Sequence, residues 1–342
     1  MTEKQYGGAT GRGADKLGKS AYNKNAIKAQ NKTDATRKKQ DSDNSSSENK
    51  DYGNFIKAGG IASEVVKYAK LIIKKEVPLL EIAEKIEKKI SELGAKPAFP
   101  VNLSMNEIAA HDTPAFNDAR KAEGLLKVDI GVHIDGFAAD TAFSLDLESN
   151  ETNKKLIEAA EKALKAGCEA IKTSVKINEV GAAIDKAVKS FGFNPIHNLS
   201  GHSIEQYELH SGITIPNYDN SQTKEIPEGV YAIEPFATNG FGSVKDGKLS
   251  GIYKIEREGS VRDAFARDVL DFIVEEFQTL PFCSRWIHKK FGTRGLLALR
   301  QIEQAGMLHH YPQLIESGKG KVSQAEHTII LAPKGKKIIT TE

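Results

Sequence analysis

Seven residues with reactive side chains lie in apolar, strand-like stretches of this 342-residue chain. "KVDIGVHIDGFAADTAF" holds Asp129 and Asp140, "YAIEPF" holds Glu234 and "AEHTIIL" holds Glu326. "GHSIEQYELH" carries His202 and His210, and "IAAHDTP" places His111 ahead of a Pro-bounded turn. An unpaired carboxylate in an apolar strand is costly. Any one of these residues fits a strand end or a solvated corner. Four carboxylates and three histidines in such contexts call for a positive partner, and a pair of divalent cations would provide it.

The first two acids can be placed by geometry. Asp135-Gly136 is a strong two-residue hairpin signal. With those residues as the turn, Ile134 pairs with Phe137 and Gly131 lies opposite Asp140. Side chains alternate along a strand, so Asp129 shares the face of Gly131. Asp129 and Asp140 become diagonal neighbours, about 7–8 Å apart at the backbone. Gly131 leaves room between them.

The elements around these residues repeat. Phe55, Ile61, Val65, Ala69 and Ile72 form a helical stripe that stops before Pro78. Ile82, Ile86, Ile90 and Leu93 form a second, with Gly94 as its cap. Extended segments and the hairpin follow. A second helix pair, "NKKLIEAAEKALKAGCEAIK" and "INEVGAAIDKAVKSFG", precedes another set of strands. This pattern predicts an α+β body with pseudo-symmetric halves around one sheet. Residues 266 to 316 read as a compact helical insertion of helix-turn-helix or winged-helix type, its helices separated by "GTRG". Its Arg285, Lys289, Lys290, Arg294 and Arg300 raise nucleic-acid binding, but several acids offset them and packing is the simpler reading.

Composition is that of a soluble globular protein, 39% hydrophobic and 27% charged. The apolar runs are shorter than the roughly 20 residues a membrane span needs. The opening "MTEKQYGGATGRG" has no apolar signal core, so a cytoplasmic location is expected. Cys168 and Cys283 sit apart in helix-like contexts and read as small buried hydrophobes. Residues 1 to 40 hold ten Lys or Arg against three Asp or Glu. Together with the polar "QDSDNSSSENKD", this predicts a basic, disordered tail and linker over residues 1–52, ahead of a catalytic domain over 53–342. Such a tail suits contact with the ribosome or its RNA.

The motifs "FPVNLSMNEIAAHDTP", "VDIGVHIDGFAADTAF", "NLSGHSIEQYELHSGITIPN", "GVYAIEPFATNGFG" and "YPQLIESGKGKVSQAEHTIIL" occur in that order. They resemble the type II methionine aminopeptidases, metallopeptidases of family M24 with the pita-bread (creatinase/aminopeptidase-like) fold. The resemblance spans roughly residues 53 to 342, and the body looks archaeal. It implies that Asp129, Asp140, His202, Glu234 and Glu326 hold two divalent metal ions (Mn, Fe, Co or Zn), with Asp140 and Glu326 bridging them. It implies that His111 and His210 handle substrate, that Glu234 shuttles a proton, and that Phe99, Tyr311 and Leu314 line a methionine pocket. For all three, core packing is the competing reading. The implied activity is removal of the initiator methionine from nascent proteins with a small second residue, by a monomer. Asp112 departs from the aromatic residue common after the first histidine, and is expected to add a carboxylate near the pocket mouth. The alternatives are an X-Pro aminopeptidase, or a non-catalytic ribosome- or RNA-binding member of the same fold.

Overall fold

The computed structural model describes residues 52–342. The expected tail over residues 1–52 lies outside the described residues except for Tyr52. Helix α1 (Gly53–Ile72) buries Phe55, Ala58, Ala62, Val65 and Ala69 at helical spacing. Helix α2 (Leu79–Glu92) begins directly after Pro78 and buries Ile82, Ile86 and Ile90 completely. Gly94 then takes φ +79, the left-handed turn that ends a helix without a Cβ clash.

Both helices pack on a four-stranded antiparallel sheet made of Lys96–Pro97, Asn102–Met105, Leu125–Ile134 and Phe137–Asp146. Val128, Ile130 and Val132 point into the helix-lined core. Alternation therefore turns Asp129 and Gly131 to the opposite face. The long hairpin has the predicted register, Ile134 with Phe137 and Gly131 with Asp140. Asp135 and Gly136 both have positive φ (51° and 83°), as a type I′ turn requires.

The second half repeats the plan. Helix α3 (Glu151–Ala170) is capped by the Asn150 side chain, which accepts from Asn153 N. Helix α4 (Ile177–Ser190) runs beside it, and both cover a five-stranded sheet. That sheet has the order Lys337–Ile339, His327–Leu331, Gly229–Ile233, Ser200–Ile204, Thr214–Pro216. Tyr231, Ile233 and Ile329 join the core under the helices.

Two expectations need correction. The strands form four hydrogen-bonded sheets among the described residues, not one. The chain leaves the five-stranded sheet after Ile233 and after Gln324 changes sheet again before His327, so Phe236–Thr238 and Val322–Gln324 pair in a separate three-stranded sheet. Pro235, which has no N–H to donate to a ladder, marks one change. Glu234 and Glu326 sit at these breaks. A bridge between Ala142 and Glu326 joins the hairpin to the second half, and Thr328 Oγ1 bonds both Asp140 N (2.7 Å) and Asp140 O (2.8 Å).

The second correction concerns the insertion. Its helices are α5 (Ala264–Phe277) and α6 (Ser284–Gln304). They separate at Gln278–Pro281, and α6 is itself two helical stretches broken at the non-helical Gly292 (φ 65, ψ −161), the first residue of "GTRG", as expected. Residues 308 to 316 are not helical. Gly306 (φ 68) ends α6, and Leu308–Glu316 returns as a strand between Val244–Ile255 and Ile108–Ala110. Arg285 is buried against Glu87, while Lys290 and Arg294 lie over the rings of Phe272 and Phe265, so these basic groups are engaged within the fold. Both cysteines are buried and unbridged, and burial pushes each thiol up to about 12. No helix among the described residues is long and apolar enough to cross a membrane.

Candidate active site

Five side chains converge where the two halves meet. Asp129 and Asp140 come from the site-facing side of the hairpin. His202 pairs directly with Ala232, so it faces away from Tyr231 and the helix-lined core. Glu234 and Glu326 arrive at the two sheet changes, where a broken ladder frees the backbone to aim a carboxylate inward. Asp140, His202 and Glu326 each offer a donor atom within 4.8 Å of the others. His202 Nε2 lies 3.6 Å from Glu234 Oε1 and 3.9 Å from Asp140 Oδ2.

The electrostatics are unusual. Burial, reinforced by the charges of Asp129 and Glu234, raises Asp140 well above the ordinary carboxylate range. Burial and then Asp140, Glu234 and Asp129 do the same to Glu326, and burial followed by Asp129 does it to Glu234. Burial also raises Asp129, against the pull of Gln324 and Asp140. Among the described residues no Lys or Arg forms an ion pair with any of the four. Lys127, two residues from Asp129 on the same strand, donates instead to the Asn106 carbonyl at 2.7 Å. Asp129 Oδ1, Asp140 Oδ1 and Glu326 Oε1 are buried without a hydrogen-bond partner. Crowded oxygen donors, one neutral imidazole and no fixed cation are what divalent ions neutralise, so the donor set fits them. Burial lowers His202 to about 3, which keeps its imidazole neutral and able to ligate.

Of the substrate-handling candidates, His210 and Phe99 adjoin this cluster directly. The His210 ring stands 4.2 Å from that of His202. His111 follows the strand Ile108–Ala110 in a left-handed conformation (φ 59). Its Nδ1 lies 3.2 Å from the carbonyl of Pro312, and its ring meets Tyr311 edge-on at 5.2 Å. Burial lowers His111 to about 4, so the ring is neutral at pH 7. A carbonyl only accepts, so Nδ1 carries the proton and Nε2 keeps a lone pair. Phe99 packs its ring against Gly131, filling the space the glycine leaves between the two aspartates. Leu314 pairs with Ala110 and packs with Val244 and Val322 in a small apolar cluster.

Asp112 does not reach a pocket mouth. It is 1% exposed and bound by Arg120 and Gln313, which draw its carboxylate inward. Two groups at the site were missed from sequence. Gln324 Nε2 is 3.5 Å from Asp129 Oδ2, and Thr328 holds the Asp140 backbone. The spacing in "SQAEHT" was the available signal, since Gln324 and Thr328 flank Glu326 at two residues on either side.

The sequence profile of metallopeptidase family M24 matches residues 53–264. The chain is 48% identical over 297 residues to the methionine aminopeptidase of Pyrococcus abyssi, covering 85% of this chain and all of that protein. It is 45% identical over 292 residues to that of Methanocaldococcus jannaschii, covering 84% and 98%. Among solved structures, a thermophilic Arx1 superposes with a TM-score of 0.73 at 14% identity, over 84% of this chain and 89% of that one. The methionine aminopeptidase of Thermotoga maritima superposes at 0.61 with 20% identity, over 86% and 98%.

Proposed function

The chain belongs to metallopeptidase family M24, and from that premise we propose that it is a methionine aminopeptidase that removes the N-terminal methionine of polypeptides. One observation carries the reading: two buried and two partly buried carboxylates and a neutral imidazole share one cluster, with three carboxylate oxygens left unpartnered.

Asp129, Asp140, His202, Glu234 and Glu326 would hold two divalent cations. When bound, such ions supply a hydroxide near neutral pH and polarise a carbonyl. The chain's own groups do the rest. Asp129 sits at the edge of the cluster and takes up the free α-amine of the substrate, which confines cleavage to the first residue. With its Nδ1 proton given to Pro312 O, His111 accepts the N–H of the scissile amide at Nε2. His210 donates to the carbonyl oxygen as negative charge develops there. Glu234 carries a proton from water to the leaving amine. Phe99, Tyr311 and Leu314 enclose the methionine side chain. A small second residue is the preferred neighbour. Mn²⁺, Fe²⁺, Co²⁺ and Zn²⁺ all suit this donor set.

The test is cleavage of Met-Ala-Ser by chelated protein reloaded with each metal, with bound metal measured on the same sample. Asp140→Ala is expected to lose at least about 100-fold in activity at saturating metal, because even an outer-shell partner is worth 10–100-fold. Full activity of that variant would sink the dinuclear site. The basic residues 1–40 further suggest contact with ribosomal RNA. Deleting residues 1–50 should then abolish low-salt co-sedimentation with ribosomes while leaving tripeptide cleavage intact.

A further inference from the structure

Asp112 follows His111 in the chain, yet its side chain turns away from the site and meets Arg120 and Gln313. Arg120 holds it with two nitrogens, Nη1 to Oδ2 at 2.7 Å and Nη2 to Oδ1 at 3.0 Å. Gln313 Nε2 donates to the same Oδ1 at 2.7 Å. Arg120 is fixed from behind: its Nη2 donates to Asp118 Oδ2 at 2.6 Å, and its carbonyl accepts from Leu79 N at the start of α2. The Asp112 backbone is pinned too, its carbonyl accepting from Leu103 N at 2.6 Å. Gln313 is the neighbour of Pro312, whose carbonyl receives the Nδ1 proton of His111.

The ladder between the two strands cannot fix that contact by itself. It comprises Ile108 with Ile315 and Ala110 with Leu314, with a register shift between them, and it ends before His111. His111 then leaves the strand with φ 59, a conformation a non-glycine residue keeps only when its surroundings impose it. The Gln313–Asp112 bond is the tie that continues past the end of the ladder.

We propose that Asp112 is a positioning residue for His111: with Arg120 and Gln313 it holds the Pro312 carbonyl against Nδ1 and so aims Nε2 at the scissile amide. This rests on the role given to His111 above. The Asp112 carboxylate is buried while Arg120 is partly exposed, and their two-pronged contact fixes the relative geometry of the two groups. Misplacing a reacting group by about 1 Å costs on the order of 100-fold in rate.

The experiment uses the full-length, metal-loaded enzyme and two variants, Asp112→Asn and Gln313→Met. The second leaves the Asp112–Arg120 pair intact and is the milder structural change. Both are expected to lose about 10- to 100-fold in kcat on Met-Ala-Ser, with KM within about two-fold and bound metal unchanged. Long-range ¹H–¹⁵N spectra should show His111 losing its pure Nδ1–H tautomer in both. The double variant should be no worse than the poorer single one, because the residues act as one unit. The proposal is overturned if either folded variant keeps kcat within about two-fold of the parent, or if the His111 tautomer is unchanged in either. Should the parent enzyme itself not cleave Met-Ala-Ser, the functional reading fails, and the tautomer measurement still decides whether the clamp orients the ring.

Discussion

At the scale of single residues, the site stores electrostatic repulsion that protonation or a bound cation relieves. This makes stability a readout of occupancy. Asp129, Asp140, Glu234 and Glu326 all have folded-state pKa values raised above those of an unfolded chain. Such a group contributes stability that is complete below the unfolded value, near pH 4, and is lost as pH rises through the folded one. His111 and His202 act in the opposite sense. Their lowered values, about 4 and about 3, add stability above pH 6.5 that is lost as pH falls towards the folded pKa. Between pH 7 and 8.5 both histidines are neutral in either state, but Lys127, lowered to about 7 by burial, adds stability as pH rises and opposes the carboxylates. The carboxylates are therefore read from the difference in melting temperature between metal-bound and chelated protein, in which the Lys127 contribution cancels. That difference should widen across the window, because ligation needs ionised carboxylates. At a concentration about 100 times its Kd the metal should add about 2.7 kcal/mol. Scanning calorimetry at pH 7.0, 7.75 and 8.5, with and without Mn²⁺, is the check. A metal-induced rise in melting temperature that shrinks from pH 7 to 8.5 would contradict the account.

At the scale of elements, the hairpin is where local sequence was enough. Asp135-Gly136 sets the turn, the turn sets the register, and the register places Asp129 and Asp140 on one face around Gly131. The same geometry explains why position 131 is glycine. A Cβ there would overlap the Phe99 ring, which lies over the strand between the two aspartates. Gly131→Ala should cost about 1–3 kcal/mol in urea unfolding, as overpacking of a filled space does, and it should raise KM for methionyl peptides by displacing Phe99. A variant with parental stability and KM would remove Phe99 from the pocket wall. Features that depend on distant partners were much less legible. Glu234 and Glu326 stood out as acids in apolar runs, but the sheet changes that aim them depend on which strands lie alongside. The strand Leu308–Glu316 reads as helix in the sequence because its ladder partners, Val244–Ile255 and Ile108–Ala110, lie far away in the chain. The inward turn of Asp112 is hidden in the sequence because Gln313 is 201 residues distant, and nothing beside Asp112 in the chain announces the pairing.

At the scale of the whole catalytic unit, the question is how the insertion stays in register with the body it closes. Two helices and a returning strand bring Tyr311 and Pro312 to the site, so a shift of the insertion would move the partners of His111. The junction is fastened by one buried network. Arg285 at the start of α6 is 2% exposed and meets Glu87 of α2 through both nitrogens, at 2.7 and 2.8 Å. Its Nε donates to Pro114 O at 3.0 Å, and Trp286 Nε1 donates to Glu87 Oε2 at 2.9 Å. Glu87 also accepts from Val101 N at 3.4 Å. Val101 and Pro114 flank the segment that carries Asp112, and Phe99 precedes it closely in the chain. The pair therefore ties the insertion to the same stretch of body that carries Phe99 and His111. Removing one partner leaves a buried, uncompensated charge, so Arg285→Met should cost about 3–5 kcal/mol. Replacing both, as Arg285→Met with Glu87→Leu, should cost less than the single change, because no charge is stranded. Part of the loss should remain, since Val101 N and Trp286 Nε1 lose their acceptor. Equilibrium urea unfolding of the three proteins measures this order directly. If Arg285→Met lay within about 1 kcal/mol of the parent, or the double variant were the less stable, the pair would not be what joins the insertion to the body.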